Sequence, residues 1–178
     1  FKGKVKYWIT FNEINMILHL PFMGAGILFD EGEDEESVKY QAAHHELVAS
    51  ALATRMAHEM MPGCKVGCML AAGSTYANTC APQDVWKSIE KNRENYFFID
   101  VQSRGEYPAY ARKMFERRNI HLEIKQEDLE VLKENPVDFI AFSYYSSRLT
   151  SADPTVDKMT SGNAFATLRN PYLKESEW

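Results

Sequence analysis

Val5-Lys6-Tyr7-Trp8-Ile9-Thr10-Phe11-Asn12-Glu13 is the stretch that decides how this 178-residue chain is read. β-Branched and aromatic residues fill Val5 to Phe11 behind Lys2-Gly3-Lys4, so the run reads as a strand. It places a carboxylic acid, Glu13, at the strand's C-terminal end. With Phe11, Ile14 and Met16 around it, that carboxyl would be desolvated, which raises a carboxyl pKa as a general acid requires near neutral pH. Asn12 offers a donor and an acceptor for a substrate hydroxyl. A strand-end glutamate can also be a helix cap or an ion-pair partner, and spacing alone leaves those readings open.

Outward from this strand, the run to the acidic cluster Asp30-Glu31-Gly32-Glu33-Asp34-Glu35-Glu36 is punctuated by Pro21, Gly24 and Gly26 and reads as a long loop. The cluster itself reads as a solvated loop and helix N-terminus, where carboxylates suit the dipole. Val38, Ala42, His45, Val48, Ala49, Leu52, Met56 and Met60 recur at helical steps, predicting a helix from about Ser37 to Met60 that Pro62-Gly63 ends. Lys65 to Ala71 follows as a short buried strand. After a turn-rich stretch through Pro82, a helix runs from Gln83 to Val101, with Val85, Trp86, Ile89, Tyr96, Phe97 and Ile99 as its apolar members. Shorter helices end near Arg118 and Glu134, and Val137 to Tyr145 is the third strand. The tail from Ser146 reads as loop.

Short, almost wholly apolar strands alternating with helices are the pattern of parallel βα units covered on both faces. The predicted fold class is therefore α/β. Three units do not close a sheet, and an eight-stranded barrel takes about 250 residues, so residues 1–178 would supply under half of a single (β/α)8 barrel domain, the fold that the family resemblance described below implies. The start at Phe1 and the loop-like end from Asn170 to Trp178 fit a segment of a longer protein.

Composition narrows the function classes. With 45% hydrophobic and 25% charged residues, the chain is globular rather than disordered. A net charge of −5, with 20 Lys and Arg scattered among acids, argues against nucleic-acid binding. No apolar run approaches the ~18 residues of a membrane span, and the start lacks a secretory pattern, so the expectation is a cytoplasmic protein. Cys64, Cys68 and Cys80 are too few and too odd in number for a disulfide framework.

Other chemistry-bearing patterns fail on spacing. His44-His45-Glu46 and His58-Glu59 lack the second histidine of a zincin helix, since Ala49 and Pro62 occupy the required positions, so no metal is expected. Gly24-Ala25-Gly26 is not a phosphate loop, and no nucleotide or other cofactor is expected. Cys68, inside a strand and without a G-x-S-x-G elbow nearby, reads as core. Ser143, Tyr144 and Tyr145 end the third strand, where a tyrosine could donate to a carboxylate, pack under a sugar ring, or simply pack at the barrel rim.

Thr10-Phe11-Asn12-Glu13 with Ile14-Asn15, and Phe142-Ser143-Tyr144-Tyr145 further on, resemble glycoside hydrolase family 1. Val5 to Ile9, His44 to Ala51 and Val66 to Leu70 resemble its bacterial 6-phospho-β-glucosidase branch, and the likeness extends over the whole chain. The resemblance implies retaining hydrolysis of 6-phospho-β-glucosides, such as aryl-β-glucoside or cellobiose-type phosphates. It implies Glu13 as general acid/base, Asn12 holding the sugar 2-hydroxyl, and Tyr145 hydrogen-bonding the nucleophile. Ser143 replaces an asparagine common in the wider family. The family's nucleophile, in a T/V-E-N-G segment, has no counterpart in these 178 residues. The chain therefore corresponds to strands four to six, the N- and C-terminal parts of the barrel being absent. Retention needs two carboxyls about 5 Å apart, so the chain alone is expected to be inactive. An unphosphorylated β-glucosidase of the same family and a non-catalytic half-barrel are the alternatives.

Overall fold

β1 (Tyr7–Ile9), β2 (Lys65–Ala72) and β4 (Phe139–Tyr144) form the sheet that carries the opening motif, in the order β1-β2-β4. β1 and β2 are parallel, with Tyr7, Trp8 and Ile9 opposite Lys65, Val66 and Gly67. The computed structural model describes residues 1, 3–156, 168 and 170–174. Among these, no helix is long and apolar enough to cross a membrane. The chain divides into two units, 1–71 with 96–143, and 72–95 with 144–178.

The first unit is built on α2 (Glu35–Met60), the end of α3 (Pro82–Arg104), α4 (Ala109–Arg118) and α5 (Gln126–Glu134). Asp34 caps α2, its carboxylate accepting from the Glu36 and Ser37 amides and from Ser37 Oγ; that last bond, more than any other influence, lowers its pKa. This is the solvated helix start expected from the acidic cluster. The core is aromatic. Tyr40, Phe97, Phe98, Tyr107 and Phe115 pack with centroids 5.1–6.3 Å apart, each favourable ring pair adding about 0.5–1.5 kcal/mol beyond burial.

The buried stripe of α2 is Tyr40, Ala43, His44, Leu47, Ser50, Ala51 and Thr54. This corrects the expected face, whose His45, Ala49, Met56 and Met60 are exposed. Polar side chains are tolerated on the inner face because they are bonded there. Thr54 Oγ1 donates to the Ser50 carbonyl at 2.8 Å, and His44 Nδ1 and Nε2 meet the Tyr107 hydroxyl at 2.9 Å and Asp128 Oδ2 at 3.2 Å. In α3, Phe97, Phe98, Val101 and Gln102 are buried, whereas Val85, Trp86 and Ile89 are exposed.

The strands are less covered than expected. Tyr7 and Ile9 in β1, and Ile140, Phe142 and Tyr144 in β4, are exposed, while Val66, Gly67, Cys68, Leu70 and Ala71 of the central β2 are buried. Gly67 lets the Phe139 ring lie close over β2, since a Cβ there would lie 2.4 Å from the ring and displace it. β1 is also shorter than the predicted Val5–Phe11, although Lys65 N to Lys6 O at 2.7 Å and Thr10 N to Gly67 O at 3.4 Å extend its pairing at both ends.

The expected loop after the motif contains a 3₁₀ helix, Ile14–Leu18, and the short α1, Pro21–Ala25. Pro21 starts α1 and Gly26, at φ 67°, ends it. The residues read as loop punctuation are a helix start and stop.

In the second unit, β3 (Thr75–Ala77) and β5 (Arg148–Thr150) pair in parallel. Neither was predicted, and β5 corrects the reading of the tail as loop. Asn92 supports β3 by bonding both the amide and the carbonyl of Thr75, at 2.9 and 2.8 Å. Asp84 accepts from the Thr79 amide and hydroxyl and from Ser151 Oγ and Ala152 N. The rest of the tail, residues 157–167, 169 and 175–178, lies outside the described residues.

Candidate active site

β1 delivers the chain to Thr10, where the motif leaves the sheet under restraint. Thr10 Oγ1 lies 2.8 Å from Ser50 Oγ on α2, and Gln102 Nε2 on α3 donates to the same oxygen at 2.9 Å. Ser50 and Gln102 are buried, so this polar cluster fixes the strand's exit from within the core.

Glu13 follows in the left-handed region, with φ 47° and ψ 53°. Apart from Asn119, which ends α4 at φ 53°, it is the one non-glycine residue at positive φ among those described. Such a conformation costs a residue with a Cβ about 1–2 kcal/mol. Strain of this kind gathers at functional sites held by their surroundings. Glu13 immediately precedes the 3₁₀ helix, yet its side chain makes no cap hydrogen bond. Nor is it in an ion pair with any described residue. Neither structural role left open by spacing is filled by the described residues, and the Glu13 side chain is half-buried.

Two residues on, Asn15 is 1% exposed. Its Nδ2 donates to the Ala71 carbonyl at 3.0 Å and its Oδ1 accepts from the Ala71 amide at 2.8 Å. The side chain thus ties the 3₁₀ helix to the end of β2 as a neighbouring strand would. Gly24 adds a close approach, since a Cβ there would meet the backbone of Ile17 at 2.9 Å. The Met16 amide closes the turn on the Glu13 carbonyl at 2.8 Å.

Glu13 and Asn12 are brought together at the C-terminal end of β1, with Asn12 exposed. Ser143 is half-buried in the same unit. Tyr145 belongs to the second unit, one residue past β4, and is 74% exposed. Asn15, Ser50 and Gln102 were not singled out from sequence. Asn15 stood in the quoted motif without a role, and the other two sit on helix faces where an apolar pattern draws the eye elsewhere.

The histidines read as packed or exposed helical residues behave so. His44 is buried in its bonds to Tyr107 and Asp128. His45 bonds Gln41 at 3.0 Å, and His58 Nε2 lies 2.8 Å from Asp138 Oδ2. Among the described residues no three His, Cys, Asp or Glu side chains are grouped to hold a metal ion. Cys68 is fully buried, and burial pushes its thiol up to about 11, which keeps it a protonated core residue.

At the opposite end of the same strands, Asp138 accepts from Lys65 Nζ and the Val66 amide at 2.8 Å each, besides facing His58. Burial alone would raise its pKa, but the bonds from Lys65, Val66 and His58 outweigh burial and hold it down at about 2.

Comparison with known proteins matches this arrangement to one family. The profile of Glycosyl hydrolase family 1 covers residues 1–178. The 6-phospho-beta-glucosidase AscB of Escherichia coli K12 is 56% identical over the whole chain, and the aryl-phospho-beta-D-glucosidase BglH of Bacillus subtilis is 49% identical. The phospho-cellobiase of Klebsiella oxytoca is 45% identical. The chain spans 37–38% of the length of these relatives. The fold is shared with the family 1 glycoside hydrolase of Thermotoga maritima solved with a cyclophellitol-analogue transition-state mimic. That structure has a TM-score of 0.73 at 24% identity and aligns with 99% of this chain and 38% of its own. The β-glucosidase of Exiguobacterium antarcticum aligns with 97% of this chain and 38% of its own, at a TM-score of 0.69 and 24% identity. A partial α/β fold with parallel strands, a carboxylate freed at a strand end, and sequence identity along the entire length agree: the chain belongs to glycosyl hydrolase family 1.

Proposed function

We propose that the full-length protein is a retaining 6-phospho-β-glucosidase. These 178 residues would supply its general acid/base from a central part of the barrel, about strands four to six. What supports the substrate class is that relatives 45–56% identical over the whole chain carry phospho-β-glucosidase or phospho-cellobiase names. What supports the role of Glu13 is its position past β1, strained, half-buried and without a capping bond.

In this reading Glu13 protonates the glycosidic oxygen as the aglycone leaves and then, as carboxylate, takes a proton from the water that attacks the glycosyl-enzyme. Asn12 holds the sugar 2-hydroxyl and Tyr145 steadies the nucleophile, a second carboxylate supplied from outside these residues. The 178 residues alone are inactive for want of that partner. The reaction takes place in the cytoplasm, needs no metal or cofactor, and has a phosphorylated sugar as substrate.

The test is Glu13→Gln in the full-length enzyme. kcat/KM should fall about 10²- to 10⁴-fold for 6-phospho-β-glucosides with poor leaving groups and little for activated aryl ones, because only the former need an acid. Equal turnover of a substrate with a poor leaving group by variant and parent would refute the role. A preference for the unphosphorylated glucoside over its 6-phosphate would refute the substrate class.

A further inference from the structure

We infer that Asn15 is a positioning residue for Glu13, setting the place of the acid/base by locking the turn after the motif to the end of β2; this rests on the reading of Glu13 given above. Glu13 has no side-chain capping bond of its own to hold it, so its backbone must be held instead. The turn that contains it is anchored on both flanks. Upstream, Thr10 meets Ser50 at 2.8 Å. Downstream, the buried Asn15 makes a matched donor and acceptor pair with one peptide unit of β2, at Ala71 N and Ala71 O.

The amide is suited to that task in a way other side chains are not. Ala71 presents an N–H and a C=O, and only a side chain with both a donor and an acceptor satisfies the two at once. Aspartate would set a carboxylate against the Ala71 carbonyl, and alanine would leave both backbone groups without this partner in a buried place. Because β2 is the central, buried strand, the lock refers the position of Glu13 to the middle of the sheet. Releasing it would let the strained residue at φ 47° relax toward a commoner backbone conformation and swing its carboxylate away. A shift of about 1 Å in a catalytic group is enough to cost around 10²-fold in rate.

Asn15→Ala and the near-isosteric Asn15→Asp, made in the full-length enzyme, test this beside Glu13→Gln. Activated and poor-leaving-group aryl 6-phospho-β-glucosides serve as substrates. Expected is a drop of about 10- to 100-fold in kcat/KM for the poor leaving group with at most about a 3-fold change for the activated one. For the activated substrate kcat and KM should fall together, as water attack on the glycosyl-enzyme becomes limiting. Azide, a nucleophile that needs no base, should then restore kcat. A merely structural residue would lower the unfolding temperature without leaving-group dependence or azide rescue. Should Asn15→Ala fail to fold, the aspartate variant carries the test. Equal losses on both substrates, or none, with Glu13→Gln behaving as an acid/base variant, would overturn the inference and leave the Glu13 reading standing. Absence of leaving-group dependence in Glu13→Gln would overturn both.

Discussion

The two ends of the β1-β2-β4 sheet treat their carboxylates in opposite ways. At the N-terminal end Asp138 is saturated, taking bonds from Lys65, Val66 and His58 across β2 and α2. At the C-terminal end Glu13 has no capping bond and an unfavourable backbone, and its position is held by the neutral side chains of Thr10, Ser50 and Asn15. One acid holds elements together, and the other is held by them. Barrel enzymes divide their two faces in this sense, with chemistry at the C-terminal ends of the strands and stability at the other.

That division predicts a crossed pair of outcomes. Glu13→Gln should abolish most activity on substrates with poor leaving groups while leaving the unfolding midpoint of the full-length enzyme nearly unchanged. Asp138→Ala should do the reverse. It leaves the Val66 amide without its carboxylate and frees the half-exposed Lys65 and His58 side chains, which water can resolvate, for a loss of about 2 kcal/mol, with kcat/KM of the folded fraction unaltered. Urea denaturation and steady-state kinetics on both variants decide it. A stability loss at Glu13 equal to that at Asp138 would break the comparison.

The clamp also carries a pH signature. Its folded pKa of about 2 lies below the ordinary aspartate value near 3.9, so the unfolded chain binds more protons between those values. Stability from this group is complete above about pH 4 and is lost as pH falls toward 2. The midpoint in urea should decline more steeply over that window in the parent than in Asp138→Ala.

A smaller effect separates backbone strain from side-chain chemistry at the other end. Glu13→Ala and Glu13→Gly both remove the carboxylate, but only glycine is at ease at φ 47°. Glycine should be the more stable of the two, by about 1 kcal/mol after its greater freedom in the unfolded chain is counted. Both should be inactive on poor leaving groups. Alanine equal to glycine would mean that the residue relaxes out of the left-handed region when its side chain goes.

The elements of this sheet and the large helices were legible because periodicity and punctuation act locally. α2 was expected from Ser37 to Met60 and runs Glu35–Met60; β2 was expected from Lys65 to Ala71 and runs Lys65–Ala72. The inward face of α2 was not legible, since Ser50 and His44 reach the core with bonding partners distant in sequence, and Thr54 by bonding back to the Ser50 carbonyl one turn earlier. β3 and β5 escaped for the same reason. Three residues are too few to show alternation, and their pairing joins positions some seventy residues apart. At the site, the motif named Glu13 and Asn12, but the lock on Ala71 by Asn15 lies in a tertiary contact that no local pattern encodes.

Between the saturated Asp138 and the free Glu13 stands a third carboxylate that sharpens the contrast. Glu46 lies half-buried on α2, and desolvation raises its pKa to about 7. Unlike at Asp138, no bonding outweighs that desolvation. The sign is therefore reversed. The folded chain holds a proton that the unfolded chain has released between about pH 4.3 and 7, so stability falls as pH rises through that window and stays lower above it. Glu46→Gln removes the titration while keeping the shape. It should stabilise the full-length enzyme at pH 8 by something under about 1 kcal/mol, since the group is open enough to water to be partly screened. At pH 4, where the glutamate is largely protonated in both states, the two proteins should unfold at nearly the same urea concentration. A gain of equal size at both pH values would show that glutamine packs better and that charge desolvation is not the cause.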